Sequence, residues 1–215
     1  MILMHKLVRN WGVAIILVSL LIYFAMYPLT MKSMVSMRKM QNLQPKIVEL
    51  RAKHEKSPEK LNQEIMKLYA ENKVNPLGGC LPLLLQMPVF ICLYQMIWRS
   101  ILFKGSDFLW IKDLSEPDRL IVLNQSFPII GNEINLLPVI ILFLMVIQQK
   151  ITAKNMVITD PNQLAQQKMM TFMMPVVLLL VFYRIASGLT LYLAVFYIMS
   201  SFTQWRVARI AKAAE

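Results

Sequence analysis

Histidine, cysteine, glycine and acidic residues are all scarce in this 215-residue chain: two His, two Cys, six Gly and twelve Asp/Glu against 23 Lys/Arg. The histidines, His5 and His54, lie outside every apolar run, so no Ser/His/Asp set, Cys/His set or HExxH motif can be assembled. Glycine appears in neither a Walker nor a Rossmann pattern, so nucleotide binding has no foothold in the sequence. Cys80 and Cys92 fall on one predicted helix, about 18 Å of rise apart, and cannot pair with each other. Asp, Glu and Lys are missing from the apolar interiors, which argues against an ion-coupled pump or an intramembrane protease, since both need titratable groups at depth.

What remains is apolar and basic. Hydrophobic residues make up 57% of the chain, more than one soluble core of this length needs, and the formal net charge is +11. Apolar runs occupy 11–28, 81–100, 134–149, 169–183 and 189–205. The first lacks an A-x-A-like cleavage site and reads as a retained span rather than a signal peptide. The expected fold is therefore all-α: a polytopic membrane bundle of five transmembrane helices at 11–30, 80–100, 134–149, 169–184 and 189–205.

Charge orients the bundle. Residues 32–73 carry ten Lys/Arg against five Glu, 150–168 carries three Lys against one Asp, and the tail 206–215 adds Arg206, Arg209 and Lys212. In a five-span chain these segments share one face, which the positive-inside rule makes cytoplasmic, leaving the N-terminus outside. Residues 1–10 read as an external interfacial amphipathic segment, 101–133 as an external loop and 150–168 as a cytoplasmic loop, in which Asp160-Pro161-Asn162-Gln163 has a helix-start pattern. Within 31–74, Leu43, Ile47 and Leu50 and then Leu61, Ile65 and Leu68 keep one helical face. Ser57 and Pro58 are placed to open the second arm, so this segment is predicted to be a cytoplasmic antiparallel helical hairpin, with Pro45 kinking its first arm.

The polar residues at depth are uncharged. Ser19 and Tyr23 share a face at i,i+4, and Gln86 stands between Pro82 and Pro88. Gln148, Thr171 and Tyr192 join them as candidate groove residues, whether as interhelical hydrogen-bonding groups or as the lining of a hydrated groove. The apolar runs 134–149 and 169–183 are short for a bilayer: either they thin it locally, or their helices run on through Lys150 and Lys168. Methionines cluster at Met31, Met34, Met37 and Met40 and again at Met169, Met170, Met173 and Met174, as flexible apolar surfaces or as ordinary packing.

Trp11-Gly12, Met26-Tyr27-Pro28-Leu29-Thr30, Leu43-Gln44-Pro45-Lys46, Asn75-Pro76-Leu77-Gly78-Gly79-Cys80, Gln86-Met87-Pro88, Leu109-Trp110-Ile111, Met170-Thr171-Phe172-Met173 and Ser187-Gly188-Leu189 follow one another in an order that resembles the conserved core of the bacterial YidC membrane protein insertases. The resemblance runs from about residue 5 to 208. It implies a five-helix core with a lipid-open hydrophilic groove in the bacterial plasma (inner) membrane, an active cytoplasmic hairpin, no cofactor and no enzymatic reaction. The partners it implies are nascent hydrophobic membrane-protein segments and the lipid bilayer, with the ribosome and the Sec translocon as further candidates and no DNA. The extra N-terminal span and periplasmic domain of Gram-negative members have no counterpart in 1–215, as expected of either a truncated piece or a naturally short member. Typical members carry a groove arginine at the position aligned with Tyr23; Arg184 is the candidate compensating charge, although its place at the far end of an outward-going span puts it at another depth. Asn75-Pro76 and Gly78-Gly79 read as the hinge between hairpin and second span. The rival function is a small polytopic transporter or channel, which requires a pore continuous across both leaflets.

Overall fold

In the computed structural model, which describes residues 1–54, 57–75, 81–127, 131–153 and 161–212, Asn10 divides the first two helices. Helix α1 (Ile2–Val8) ends with Arg9 in the left-handed region, and the Asn10 side chain accepts from the Val13 N–H to start α2 (Trp11–Asn42). Pro28 does not end α2, which continues 12 residues past the expected boundary at Thr30. Residues 31–42 hold Met, Lys, Arg and Gln, all strong helix formers, and neither Gly nor Pro. The break comes instead at Leu43, with Pro45 in the first turn of α3 (Gln44–Lys53). Pro58 opens α4 (Pro58–Glu71) after Ser57, whose side chain makes no cap hydrogen bond. Leu43, Ile47 and Val74 form a small core of their own, covered by Met40, Ile65, Leu68 and Tyr69.

The remaining helices are α5 (Leu81–Arg99), α6 (Leu136–Ala153), α7 (Pro161–Phe182) and α8 (Ser187–Lys212). Pro76, Gly78 and Gly79 of the proposed hinge, and Asp160 of the expected helix start, lie outside the described residues. Helices α6 and α7 have 18 and 22 residues, about 27 and 33 Å of rise, so they run on through Lys150 and Lys168 instead of stopping with their apolar runs. Their length removes the reason to expect strong thinning from helix length alone. Among the described residues, one helix, Trp11–Asn42, is by itself long and apolar enough to cross a bilayer; Leu136–Ile151 and Thr171–Phe182 are shorter apolar stretches.

Contacts fix the chain directions. A Cβ on Gly188 at the start of α8 would lie 3.1 Å from Ile15 and 3.3 Å from Ile97, while Tyr23 reaches Met199 and Thr203 farther down α8. Gln148 of α6 bonds to Ser200 of α8, and Asn135, just before α6, bonds to Tyr183, just after α7. Thus α2, α6 and α8 run one way, and α5 and α7 return. Helix α6 packs on α7 and α8, α8 also packs on α2, and α5 lies against α2 and α8.

Residues 100–127 and 131–135 cap one end. They are not a plain loop: a 3-10 turn (Ile101–Phe103) is followed by an antiparallel hairpin, β1 (Ile121–Phe127) with β2 (Gly131–Ile134), a departure from the all-α expectation. Ile121-Val122-Leu123 is followed by Asn124-Gln125-Ser126, so the strand has no period-2 alternation to mark it in the sequence. Phe108 and Ile111 exchange both backbone hydrogen bonds around Leu109, whose φ is 54°. This tight loop lays the Phe108 ring on Gly12, where a Cβ would come within 2.1 Å of the ring. Leu114 and Ser187 follow it inward: Gly188 N–H donates to Leu114 O and Ser187 N–H to Glu116 O. Beneath the cap, Ile15, Ile97, Phe103, Ile111, Leu114 and Leu189 form a fully buried apolar layer.

Candidate functional site

Below that apolar layer, α2, α5 and α8 enclose a cleft lined by Ser19, Ile22, Tyr23, Met26, Thr30, Leu85, Gln86, Tyr192 and Phe196. On α8 its polar side follows from spacing: Tyr192, Phe196, Met199 and Thr203 stand at +4, +7 and +11 and share one face. On α2, Ser19, Tyr23 and Thr30 do the same. The space open to a water-sized sphere is about 10 Å³, room for roughly one water.

The hydrogen bonds tie the three helices together. Gln86 Nε2 donates to the Tyr192 hydroxyl at 2.6 Å, joining α5 to α8. The Tyr23 hydroxyl donates to Met199 O at 3.0 Å and lies 2.6 Å from Thr203 Oγ1, joining α2 to α8. Ser19 Oγ donates to Ile15 O at 2.6 Å, and Thr30 Oγ1 to Met26 O at 3.0 Å. Gln86 Oε1 is buried and has no hydrogen-bond partner among the described residues. Among the described residues, none that lines the cleft carries a charge at neutral pH.

Four of the six groove candidates therefore meet: Ser19, Tyr23, Gln86 and Tyr192. Gln148 does not line the cleft; its Nε2 donates to Ser200 Oγ at 2.9 Å and ties α6 to another side of α8. Thr171 lies on α7, which packs along α6, and is also absent from the lining. Arg184 is exposed, in the turn between α7 and α8 at the capped end. Ser187 to Thr203 is about 24 Å of helix, so the structure does not bring Arg184 to Tyr23. Thr203 and Thr30 were not singled out in the sequence, although the +11 spacing from Tyr192 and from Ser19 would have marked each.

A second polar cluster lies in the cap. The buried Asp118 carboxylate accepts from Leu136 N–H at 2.7 Å, Leu137 N–H at 3.0 Å and Trp110 Nε1 at 3.1 Å, so it caps α6 from outside the helix. Asn135 Nδ2 donates to Tyr183 O at 2.7 Å, and the Tyr183 hydroxyl donates to Glu133 O at 2.8 Å. Arg119 pairs with Glu116 and Glu133 at half-exposed positions, where such pairs contribute little. Nearby, burial works against ionisation of Asp113, but hydrogen bonds from the Ser115 hydroxyl and from the Gly105 and Ser115 backbone N–H groups, with Lys104 adjacent, hold its carboxyl below the usual value.

A closed apolar end above an uncharged polar cleft, set among helices that expose large apolar side chains such as Leu84, Phe143 and Val177, defines a helical bundle of the membrane-protein class with a polar recess shut at one end. The chain belongs to the 60Kd inner membrane protein family, whose model matches residues 3–214. It is 39% identical over 212 residues to the membrane protein insertase YidC of Chlorobium luteolum, covering 99% of this chain and 35% of that protein. The YidC of Syntrophobacter fumaroxidans is 44% identical over 211 residues, covering 96% and 36%. An active YidC insertase crystal structure with its first transmembrane domain resolved superposes with a TM-score of 0.63 at 28% identity, over 93% of this chain and 42% of the other. The chain spans about a third of the length of the curated relatives it matches.

Proposed function

We propose that the chain inserts membrane-protein segments into the bacterial inner membrane without nucleotide hydrolysis. The observation that carries this reading is the cleft of Ser19, Tyr23, Gln86 and Tyr192, polar at mid-depth and shut at one end by Ile15, Ile97, Ile111 and Leu114. A polar flank can enter such a recess partway while its hydrophobic segment partitions into lipid along exposed faces such as Leu84, Met87 and Ile91 of α5. A transporter or channel needs a continuous path, and the apolar layer stands across it.

In this reading α2, α5, α6, α7 and α8 are the five spans and α3 with α4 is the cytoplasmic hairpin; the Lys/Arg excess at the end opposite the cap supports an external cap. The basic end formed by Arg38, Lys39, Lys150, Arg206 and Arg209 faces the cytoplasm, where ribosomal RNA or the Sec translocon would be met. The test is reconstitution with a small single-span or double-span substrate, comparing the wild type, Tyr23→Ala and a deletion of residues 44–71. Wild type is expected to insert well above empty liposomes and both variants less; wild-type insertion at the empty-liposome level would overturn the proposal.

A further inference from the structure

The cleft is uncharged, but its hydrogen-bonding capacity is lopsided. Ser19 and Thr30 commit their hydroxyl protons to carbonyls one turn back, at Ile15 and Met26. Tyr23 and Thr203 share theirs with each other and with Met199 O. Of these, Ser19, Tyr23 and Thr30 line the cleft, and what they leave toward it is oxygen lone pairs. Gln86 adds an amide oxygen that is buried and wholly unpaired, on a residue 9% exposed. Against these acceptors stand the Tyr192 proton and the second Nε2 hydrogen of Gln86, the Tyr192 oxygen itself being occupied by Gln86. A buried acceptor without a partner is costly, so a ligand group that donates to it is favoured beyond its simple hydrophobic fit.

We infer that the cleft selects incoming segments whose polar flank presents a hydrogen-bond donor, an amide N–H or an ammonium group, and disfavours carboxylates, with Gln86 Oε1 as the specificity-determining acceptor. The inference rests on the cleft being the substrate groove. The room for about one water matches a single N–H or ammonium head. A carboxylate there would face lone pairs with two donors to answer four oxygens. An ammonium would face the same lone pairs as partners.

The test uses full-length protein in detergent and labelled single-span peptides that differ at one flank position: Lys, Asn, Leu or Asp. Lys and Asn peptides are expected to bind about tenfold more tightly than the Leu peptide, the effect of one hydrogen bond to a buried unpaired acceptor, with Asp no tighter than Leu. Gln86→Leu should erase the order, and Gln86→Glu, which keeps the shape and adds negative charge, should widen the gap between Lys and Asp. An Asp peptide that binds as tightly as Lys, or an order that survives in Gln86→Leu, overturns the inference. The same peptides in proteoliposomes separate the two claims. Insertion without flank preference sinks the inference and leaves the insertase reading standing, whereas ordered, Gln86-dependent binding without insertion does the reverse.

Discussion

Asp118→Ala removes the acceptor that holds the start of α6 in place, and the cost can be built from its three bonds. Two of the donors are backbone N–H groups at Leu136 and Leu137, the first turn of α6, which no intrahelical carbonyl can satisfy. The third is the Trp110 indole. Asp118 is 3% exposed and Leu137 is also 3% exposed, so water does not readily replace the lost oxygen. Hydrogen bonds to a charged group contribute roughly 1.5–3 kcal/mol each, but the three share one carboxylate oxygen and cannot add fully, so a loss of about 3–5 kcal/mol is expected. For a chain of this size that lowers Tm by roughly 6–20 °C. Thermal unfolding in detergent, followed by tryptophan fluorescence, should show this drop for Asp118→Ala and a smaller one for Asp118→Asn, which keeps an acceptor but loses the charge at the helix start. An Asp118→Ala protein within 2 °C of wild type would refute the capping argument.

Gly12→Ala should lower stability by about 1–3 kcal/mol, because its Cβ would overlap the Phe108 ring; calorimetric unfolding checks it, and Phe108→Ala in the same chain should recover part of the loss. Tyr192→Phe leaves Gln86 Nε2 without its 2.6 Å partner and should cost about 1–3 kcal/mol in the same assay, while Phe196→Leu on the neighbouring turn should cost less. The lowered Asp113 carboxyl stabilises the cap above its unfolded value of 3.8, and this contribution is lost as pH falls through the lower folded value. The Tm difference between wild type and Asp113→Asn should therefore be present at pH 7 and shrink below about pH 4; a gap independent of pH would contradict the assignment.

The sequence marks what repeats locally. Ser19 with Tyr23 and the helix start at Pro58 are set by neighbours within a turn or two, and the structure keeps them, whereas Pro45, expected to kink a helix, opens one instead. It does not mark pairings between distant segments. Gln86 meets Tyr192 across 106 residues, and whether its amide faces a partner, lipid or a cleft is decided by how α5 lies against α8. Asp118 looks like one more charge in a polar loop, yet it is buried, with two of its three donors backbone N–H groups 18 and 19 residues on, and backbone donors leave no trace in residue types. Lys150 and Lys168 flank apolar runs without ending a helix: of the two readings open in the sequence, the structure takes the one in which α6 and α7 run on through them. Gln148 and Thr171 have the right polarity for the groove but stand on α6 and α7, a placement set by packing around α8.

The most direct test of a recess polar at mid-depth and shut at the capped end is site-specific photo-crosslinking during insertion of a single-span substrate. A crosslinker at position 86 or 192 should capture the polar flank of the substrate, and one at position 97 or 114, within the apolar layer, should not. Crosslinks at 97 or 114 as strong as those at 86 would show a path continuing through the capped end, and the account of a half-deep recess would be wrong.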